Sequence, residues 1–251
     1  MLETNIPSSL SVIIPAFNEE KTIMAVLKTL FEQIPQVGEV IVIDDGSTDE
    51  TAQQVEMFIA DQPKARLIRH PTNRGKTEAL KSGFSASTGD IVIVQDADLE
   101  YDPADIPGVI QPILAGKADV VYGSRFLVRR ATRILYFRHY MANRFITFLS
   151  NLFTDYNFSD VETCYKAFRG EIIRNMKISS HGFGFEIEVT AKVAKLKCRV
   201  YEVPISYYGR TYQEGKKIGV IDGLHALYYI FKYNFFTSLK SSYRQIPKLL
   251  N

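Results

Sequence analysis

Leu10-Ser11-Val12-Ile13-Ile14-Pro15-Ala16-Phe17-Asn18-Glu19-Glu20 decides the fold, because an apolar β-branched run breaks there into a polar helix start. A run hydrophobic at nearly every position suits a strand buried on both faces of a parallel sheet. Leu10 to Pro15 is therefore the first expected strand. Asn18 is placed to cap the following helix, Glu19 and Glu20 fall in its first turn, and Ile23, Val26, Leu27 and Leu30 form its inner face. Pro35 and Gly38 end it. The same unit recurs. Glu39 to Asp44 is a second strand running into Asp45-Gly46-Ser47-Thr48-Asp49-Glu50, where Ser47 and Glu50 have capping-box spacing. Arg66 to His70 is a third, with a helix from Thr77 to Ser87, and Ile91 to Gln95 is a fourth that delivers Asp96-Ala97-Asp98. A helix through Ile106 to Leu114 and a strand Asp119 to Tyr122 complete this half by Arg125. Strands alternating with helices predict the α/β class, with a mostly parallel sheet flanked by helices.

Farther on, a basic, aromatic helix pair is expected at about 134–153, then a segment Asp160 to Arg169 and a helix starting near Phe185. A β segment Arg199 to Ser206, a Gly/Lys-rich loop and a helix from about Ile221 to Lys240 follow. At 251 residues, 46% hydrophobic and 23% charged, the chain is expected to form one large domain spanning 1–251. Cys164 and Cys198 make at most one bridge, and the opening MLETNIPSSL has no basic segment followed by an apolar one. Export is not expected, and the compartment is expected to be reducing. The greasiest stretch, Ile134 to Phe153, is interrupted by Arg138, His139, Asn143 and Arg144, so no spanning helix is predicted.

The net charge of +2 conceals a division. Residues 1–119 hold 19 acidic and 9 basic side chains, whereas 120–251 hold 9 acidic and 21 basic. An acidic half suits a metal ion and a basic half suits anions. No carboxylate occurs from Val120 to Thr154, a window holding Arg125, Arg129, Arg130, Arg133, Arg138 and Arg144 among many aromatics. A phosphate or an anionic membrane surface is its natural partner, and nucleic acid is not expected.

The strongest chemical signal is Asp96-x-Asp98 after an apolar strand. Two like charges held close call for a hard cation or its waters between them, and a divalent ion bridging a diphosphate is the obvious occupant. Standing alone, the pair would more often be an ordinary acidic turn. Asp44 and Asp45 end an earlier strand of the same type, and ligands of open α/β sheets collect at the carboxyl ends of strands. Both acid pairs should share one crevice. Gly75-Lys76-Thr77 mimics the end of a P-loop, but His70 stands where that loop needs a glycine. Arg74 and Lys76 are either anion contacts or a solvated helix start. Arg210, Lys216 and Lys217 lie in a loop punctuated by Gly209, Gly215 and Gly219, which reads either as a phosphate-closing loop or as a surface loop. Histidines and cysteines are too scattered for zinc or a Cys/His nucleophile. The last helix, with Leu224, Leu227, Tyr228, Ile230, Phe231, Phe235 and Phe236, reads first as core-packing and second as lying in a bilayer surface.

Taken together, Val12 to Glu19, Val42 to Ser47, Asn73 to Lys76, Gly89-Asp90, Asp96-Ala97-Asp98 and Gly123-Ser124-Arg125-Phe126 resemble the motif series of family 2 glycosyltransferases with the Rossmann-like GT-A fold. Glu202-Val203-Pro204-Ile205, Arg210 and the Lys216-Lys217 loop resemble the polyprenyl-phosphate, dolichyl-phosphate mannosyltransferase-like branch, so the likeness covers roughly residues 9–235. The resemblance implies a nucleotide-sugar half at about 9–125 and an acceptor- and membrane-facing half at about 126–251. It also implies a GDP- or UDP-linked sugar donor. Pro15, Phe17, Glu19, Asp44 and Asp45 would line the base and ribose pocket, with Ala16, Ile43, Lys76 and Ala97 completing the substrate-binding set. Asp96, Asp98 and Glu100 would hold Mg²⁺ or Mn²⁺, although the family often has glutamine where Glu100 stands. Arg210 and Lys216 would clasp the diphosphate, and Arg125, with Arg138 second, would meet the lipid phosphate. Asp96, Asp98, Arg125 and Arg210 are then the expected catalytic residues.

The acceptor decides what else is needed. A phosphate monoester, with a second pKa of about 6, is already anionic at neutral pH and needs no base. A saccharide or diacylglycerol hydroxyl does need one, and Glu186, Glu188, Asp160 and Glu162 are the carboxylates the second half offers. A third reading, a silent nucleotide-sugar-binding or membrane-adaptor module, is opposed by the intact Asp96/Asp98 pair. A lipid acceptor places the chain peripherally on the cytoplasmic face of a membrane, with the arginine-rich aromatic stretch 125–153 docking it.

Overall fold

Apolar runs build the sheet as the β-branched pattern requires. The computed structural model describes residues 9–127, 133, 136–210 and 220–249, with side chains from Gly223 onward in the last stretch. The strands are β1 Leu10–Ala16, β2 Val37–Asp44, β3 Ala65–Arg69, β4 Ile91–Val94, β5 Val120–Ser124, β6 Lys166–Arg169 and β7 Val200–Pro204. They form one sheet in the order β3-β2-β1-β4-β6-β5-β7. Its pairings are parallel apart from those of β6, which runs antiparallel to both β4 and β5. Four residues without a long apolar run carry too little pattern to announce such an insertion.

Helices α1 Ile23–Gln33, α2 Thr51–Ile59, α3 Lys76–Ala86, α4 Ile106–Leu114, α5 Phe137–Thr154, α6 Gly170–Asn175, α7 Phe185–Leu196, α8 Val220–Phe235 and α9 Leu239–Ser242 complete the described elements. The inner face read for α1 is correct, since Ile23, Val26, Leu27 and Leu30 are all buried. Its cap is not. Asn18 adopts a left-handed conformation with φ +55°, and its side chain accepts from the Thr48 amide at 2.9 Å while its own amide donates to Ser47 Oγ at 3.0 Å. Asn18 and Ser47 therefore tie the loop after β1 to the loop after β2, and neither caps a helix. The expected helix pair is one helix, α5, because no glycine or proline interrupts 137–154.

The chain leaves β1 toward β2 on one side, and β4 pairs on the other. At this switch point the connecting loops diverge and leave a crevice at the carboxyl ends of the strands. Helix α3 approaches β1 and β2 so closely that a Cβ on Gly83 would collide with Ile13 Cγ2 and come within 2.8 Å of Ile43 Cδ1. That approach puts Lys76, at the start of α3, beside the crevice.

Candidate functional site

Asp44, the last residue of β2, is 1% exposed. Its Oδ1 accepts from the Ser47 amide at 3.1 Å, its Oδ2 has no hydrogen-bond partner, and Arg69 Nε lies 3.6 Å from that oxygen. Asp44 lines a pocket of about 410 Å³ with Gly46, Ser47, Thr48, Arg69, His70 and Pro71. An orphaned carboxylate oxygen there suits a ligand that donates a hydrogen bond. Asp45 is used differently. Its carboxylate meets His70 Nδ1 at 2.6 Å and accepts from the Arg74 and Gly75 amides at 3.1 and 2.7 Å. His70 Nε2 in turn meets Ser82 Oγ at 2.9 Å, locking the turn before α3. Residue-type reasoning counted His70 only as a missing glycine and so overlooked this bridge.

The other donor-side residues gather around β1 and β2. Ala16 and Ile43 are buried, whereas Pro15, Phe17 and Glu19 are partly accessible. The Glu19 backbone amide is held by Thr51 Oγ1 at 2.8 Å, and its carboxylate adds to the field at Arg210.

The acidic motif after β4 is neutralised from within the chain. Lys76 Nζ lies 2.9 Å from Asp96 Oδ1 and 3.6 Å from Glu186 Oε1. Burial alone would lower the Lys76 pKa, but Asp96 outweighs it with help from Glu186, and the ammonium sits well above its usual value. Arg210 places Nη2 2.5 Å from Asp98 Oδ2 and Nε 2.9 Å from Glu100 Oε1. Asp98 is nevertheless pushed up to about 7, by burial first and then by the charges of Asp96 and Glu100. The carboxylate oxygens of Asp96, Asp98 and Glu100 are of the kind a hard divalent ion takes. Among the described residues no three His, Cys, Asp or Glu side chains are already gathered as a metal cage. Ala97 between the aspartates is buried, and the buried Cys164 thiol hydrogen-bonds Asp96. Burial pushes that thiol well above its usual pKa, which removes it as a nucleophile.

Arg125, just after β5, forms a two-pronged pair with the fully buried Asp160, Nε–Oδ2 at 2.6 Å and Nη2–Oδ1 at 2.7 Å. Asp160 is itself held, since Glu202 on β7 accepts from the Ser159 and Asp160 amides at 2.9 and 3.2 Å. The Arg125 guanidinium lies 5.2 Å from the Tyr207 ring centroid, and the Tyr207 hydroxyl donates to Glu100 Oε2 at 2.8 Å. Tyr207, unmarked by any sequence motif, thereby joins Arg125 to the acidic motif. Arg138 is exposed on the first turn of α5, and Lys216 lies outside the described residues.

Of the four carboxylates offered as bases, Asp160 is committed to Arg125. Glu188 accepts from the Ser180 amide at 2.7 Å and pairs with Lys192, away from the crevice. Glu186 and Glu162 remain, each with one buried oxygen that has no hydrogen-bond partner.

The mostly parallel seven-stranded sheet, with its switch point at β1/β4 and acids following β2 and β4, has the architecture of the GT-A fold. By sequence the chain belongs to glycosyl transferase family 2, which it matches over residues 11–176. It is 28% identical over 221 residues to the undecaprenyl-phosphate mannosyltransferase of Micrococcus luteus, covering 84% of this chain and 88% of that one. It is 29% identical over 211 residues to the undecaprenyl-phosphate 4-deoxy-4-formamido-L-arabinose transferase of Edwardsiella ictaluri, covering 82% of this chain and 62% of that one. In fold it resembles the Mycobacterium tuberculosis glucosyl-3-phosphoglycerate synthase crystallised with Mn²⁺, uridine diphosphate and phosphoglyceric acid, with a TM-score of 0.70 and 21% identity, over 91% of this chain and 79% of that one.

Proposed function

We propose that the enzyme transfers a hexose, with inversion, from a GDP- or UDP-linked donor to a polyprenyl phosphate, using Mg²⁺ or Mn²⁺ at Asp96, Asp98 and Glu100. The observation that carries this reading is the Tyr207 bridge, which joins Glu100 of the acidic motif to the partly buried Arg125. A donor diphosphate belongs at the first and an acceptor phosphate at the second. The two undecaprenyl-phosphate transferases among the relatives support the acceptor, and a structural neighbour holding Mn²⁺ and uridine diphosphate supports the donor and the metal.

The roles follow from charge. An acceptor phosphate is already a nucleophile, so the chain's task is alignment and charge shielding rather than proton removal. Arg125, fixed by Asp160, orients the phosphate oxygen behind the anomeric carbon, with Arg138 as its second contact. Arg210 exchanges its carboxylate partners for the diphosphate, joined by Lys216, while Lys76 stays paired with Asp96. A bound divalent ion would supply the remaining positive charge for the departing nucleoside diphosphate. Displacement in line inverts the configuration.

The membrane side is drawn from exposed rows. Phe137, Met141, Phe145, Phe148 and Leu152 stand outward along α5, and Leu224, Tyr228, Phe231 and Phe235 along α8, next to Arg138 and Arg144. Among the described residues no helix is long and apolar enough to cross a membrane. Peripheral attachment at the cytoplasmic face, through both helices, is the reading these rows support.

The test is transfer of radiolabel from a panel of GDP- and UDP-sugars to a short polyprenyl phosphate, with Mg²⁺ or Mn²⁺, beside Asp98→Asn and a chelator control. Labelled lipid from the parent alone, abolished by chelation, is the expected result. Donor hydrolysis without labelled lipid overturns the acceptor and favours a hydroxyl in its place.

A further inference from the structure

Three buried polar atoms beside the crevice have no hydrogen-bond partner: Glu162 Oε1, Thr163 Oγ1 and Glu186 Oε2. Thr163 is 0% and Glu186 5% exposed. Buried polar atoms without a protein partner are rare and are completed by ordered water or by a ligand, and next to groups that would bind substrate a ligand is the occupant to test. Two of the three are carboxyl oxygens, which accept when ionised and can also donate when protonated, so hydroxyl groups, which do both, suit them as partners.

Their place narrows the ligand further. Glu186 is anchored by Lys76, which also grips Asp96 at the acidic motif. Glu162 lies within electrostatic reach of Glu186, Lys166, Arg125 and Asp160. Lys166 Nζ donates to the Val161 and Thr163 carbonyls and so fixes the segment carrying Glu162. Lys76 thus links Glu186 to the acidic motif assigned above to the donor diphosphate, and Glu162 follows two residues after Asp160, the partner of the Arg125 assigned to the acceptor phosphate. A sugar that is handed from one phosphate to the other belongs near both carboxyl groups.

We propose that Glu162 and Glu186 receive the hydroxyls of the donor's sugar and are specificity-determining residues of this enzyme. This rests on the reaction proposed above, and it assigns the two carboxylates to the sugar rather than to the deprotonation of an acceptor. A site whose buried acceptors are built for hydroxyls discriminates strongly against ligands lacking them.

Donor binding without any acceptor tests the assignment. Calorimetric titration with UDP, UDP-glucose, GDP and GDP-mannose in Mn²⁺ is run on the wild type, Glu162→Gln and Glu186→Gln. The wild type is expected to bind one sugar nucleotide about tenfold or more tighter than its nucleoside diphosphate, and both variants to lose that preference while binding the nucleoside diphosphate normally. Normal nucleotide binding shows that a variant is folded. Should a variant not fold, deoxy-sugar analogues of the preferred donor, titrated into the wild type, are expected to bind about tenfold more weakly at one or more positions. Retention of the sugar preference by both variants, or indifference of the wild type to every deoxy analogue, overturns the proposal while leaving the reaction standing. A wild type that binds no nucleotide at all overturns the reaction instead.

Discussion

Glu162 and Asp45 hold carboxyl groups inside the protein on opposite terms. Burial first, then the charge of Glu186, pushes Glu162 from 4.5 up to about 7. The folded state therefore holds a proton that the unfolded chain has released between those values, so stability from this group is complete below about pH 4.5 and is lost as pH rises to 7. Urea unfolding at pH 5 and pH 8 should show this fall in the wild type, and Glu162→Gln should reduce it, leaving the part due to Asp98, and raise stability at pH 8 by about 1–3 kcal/mol. An unchanged slope would place the proton elsewhere. Asp45 is instead surrounded by donors, His70 and two amides. Asp45→Asn leaves at least one of them unmet and should cost about 1–3 kcal/mol in the same measurement. Both aspartates of Asp44-Asp45 were legible as acids at a strand end. Which one faces the pocket and which one braces the turn was not, because that depends on His70, which is 25 residues away in the chain.

At the scale of elements, periodicity told the truth about faces and little about ends. The α1 stripe and the β1, β2 and β4 runs are where their apolar pattern puts them. The caps assigned to Asn18 and Ser47 failed because each found a tertiary hydrogen bond across the two loops, a competition that local spacing does not reveal. Helix α8 shows the same limit. Its Ile230 and Tyr233 are buried as a core helix requires, yet Leu224, Tyr228, Phe231 and Phe235, and Phe236 just after it, are exposed, so the core-packing reading holds for one face only. Close helix-to-sheet approach gives a sharper expectation. Gly83→Ala sets a methyl against Ile13 and Ile43 and should lower stability by about 1–3 kcal/mol, read as a fall in Tm. A methyl added at Gly108 would meet nothing within 4 Å, and Gly108→Ala should show no such loss.

For the molecule as a whole, the rows on α5 and α8 leave the enzyme with an exposed apolar face. Phe145 and Phe148 are 54% and 60% exposed, so replacing both with glutamate removes little packing. The double variant should keep its Tm within about 2–4 °C and lose co-flotation with anionic vesicles at low salt. Equal flotation of both proteins would move the docking face elsewhere. The strand-helix alternation, the acid pairs at strand ends and the charge division can be read along the chain, because each is written in neighbouring residues through side-chain period and residue chemistry. The antiparallel β6, the partners of Arg125 and Arg210, the Tyr207 bridge and the unpartnered oxygens of Glu162 and Glu186 come from folding alone. Those contacts join residues far apart in the chain, and burial and charge pairing act through space rather than along it.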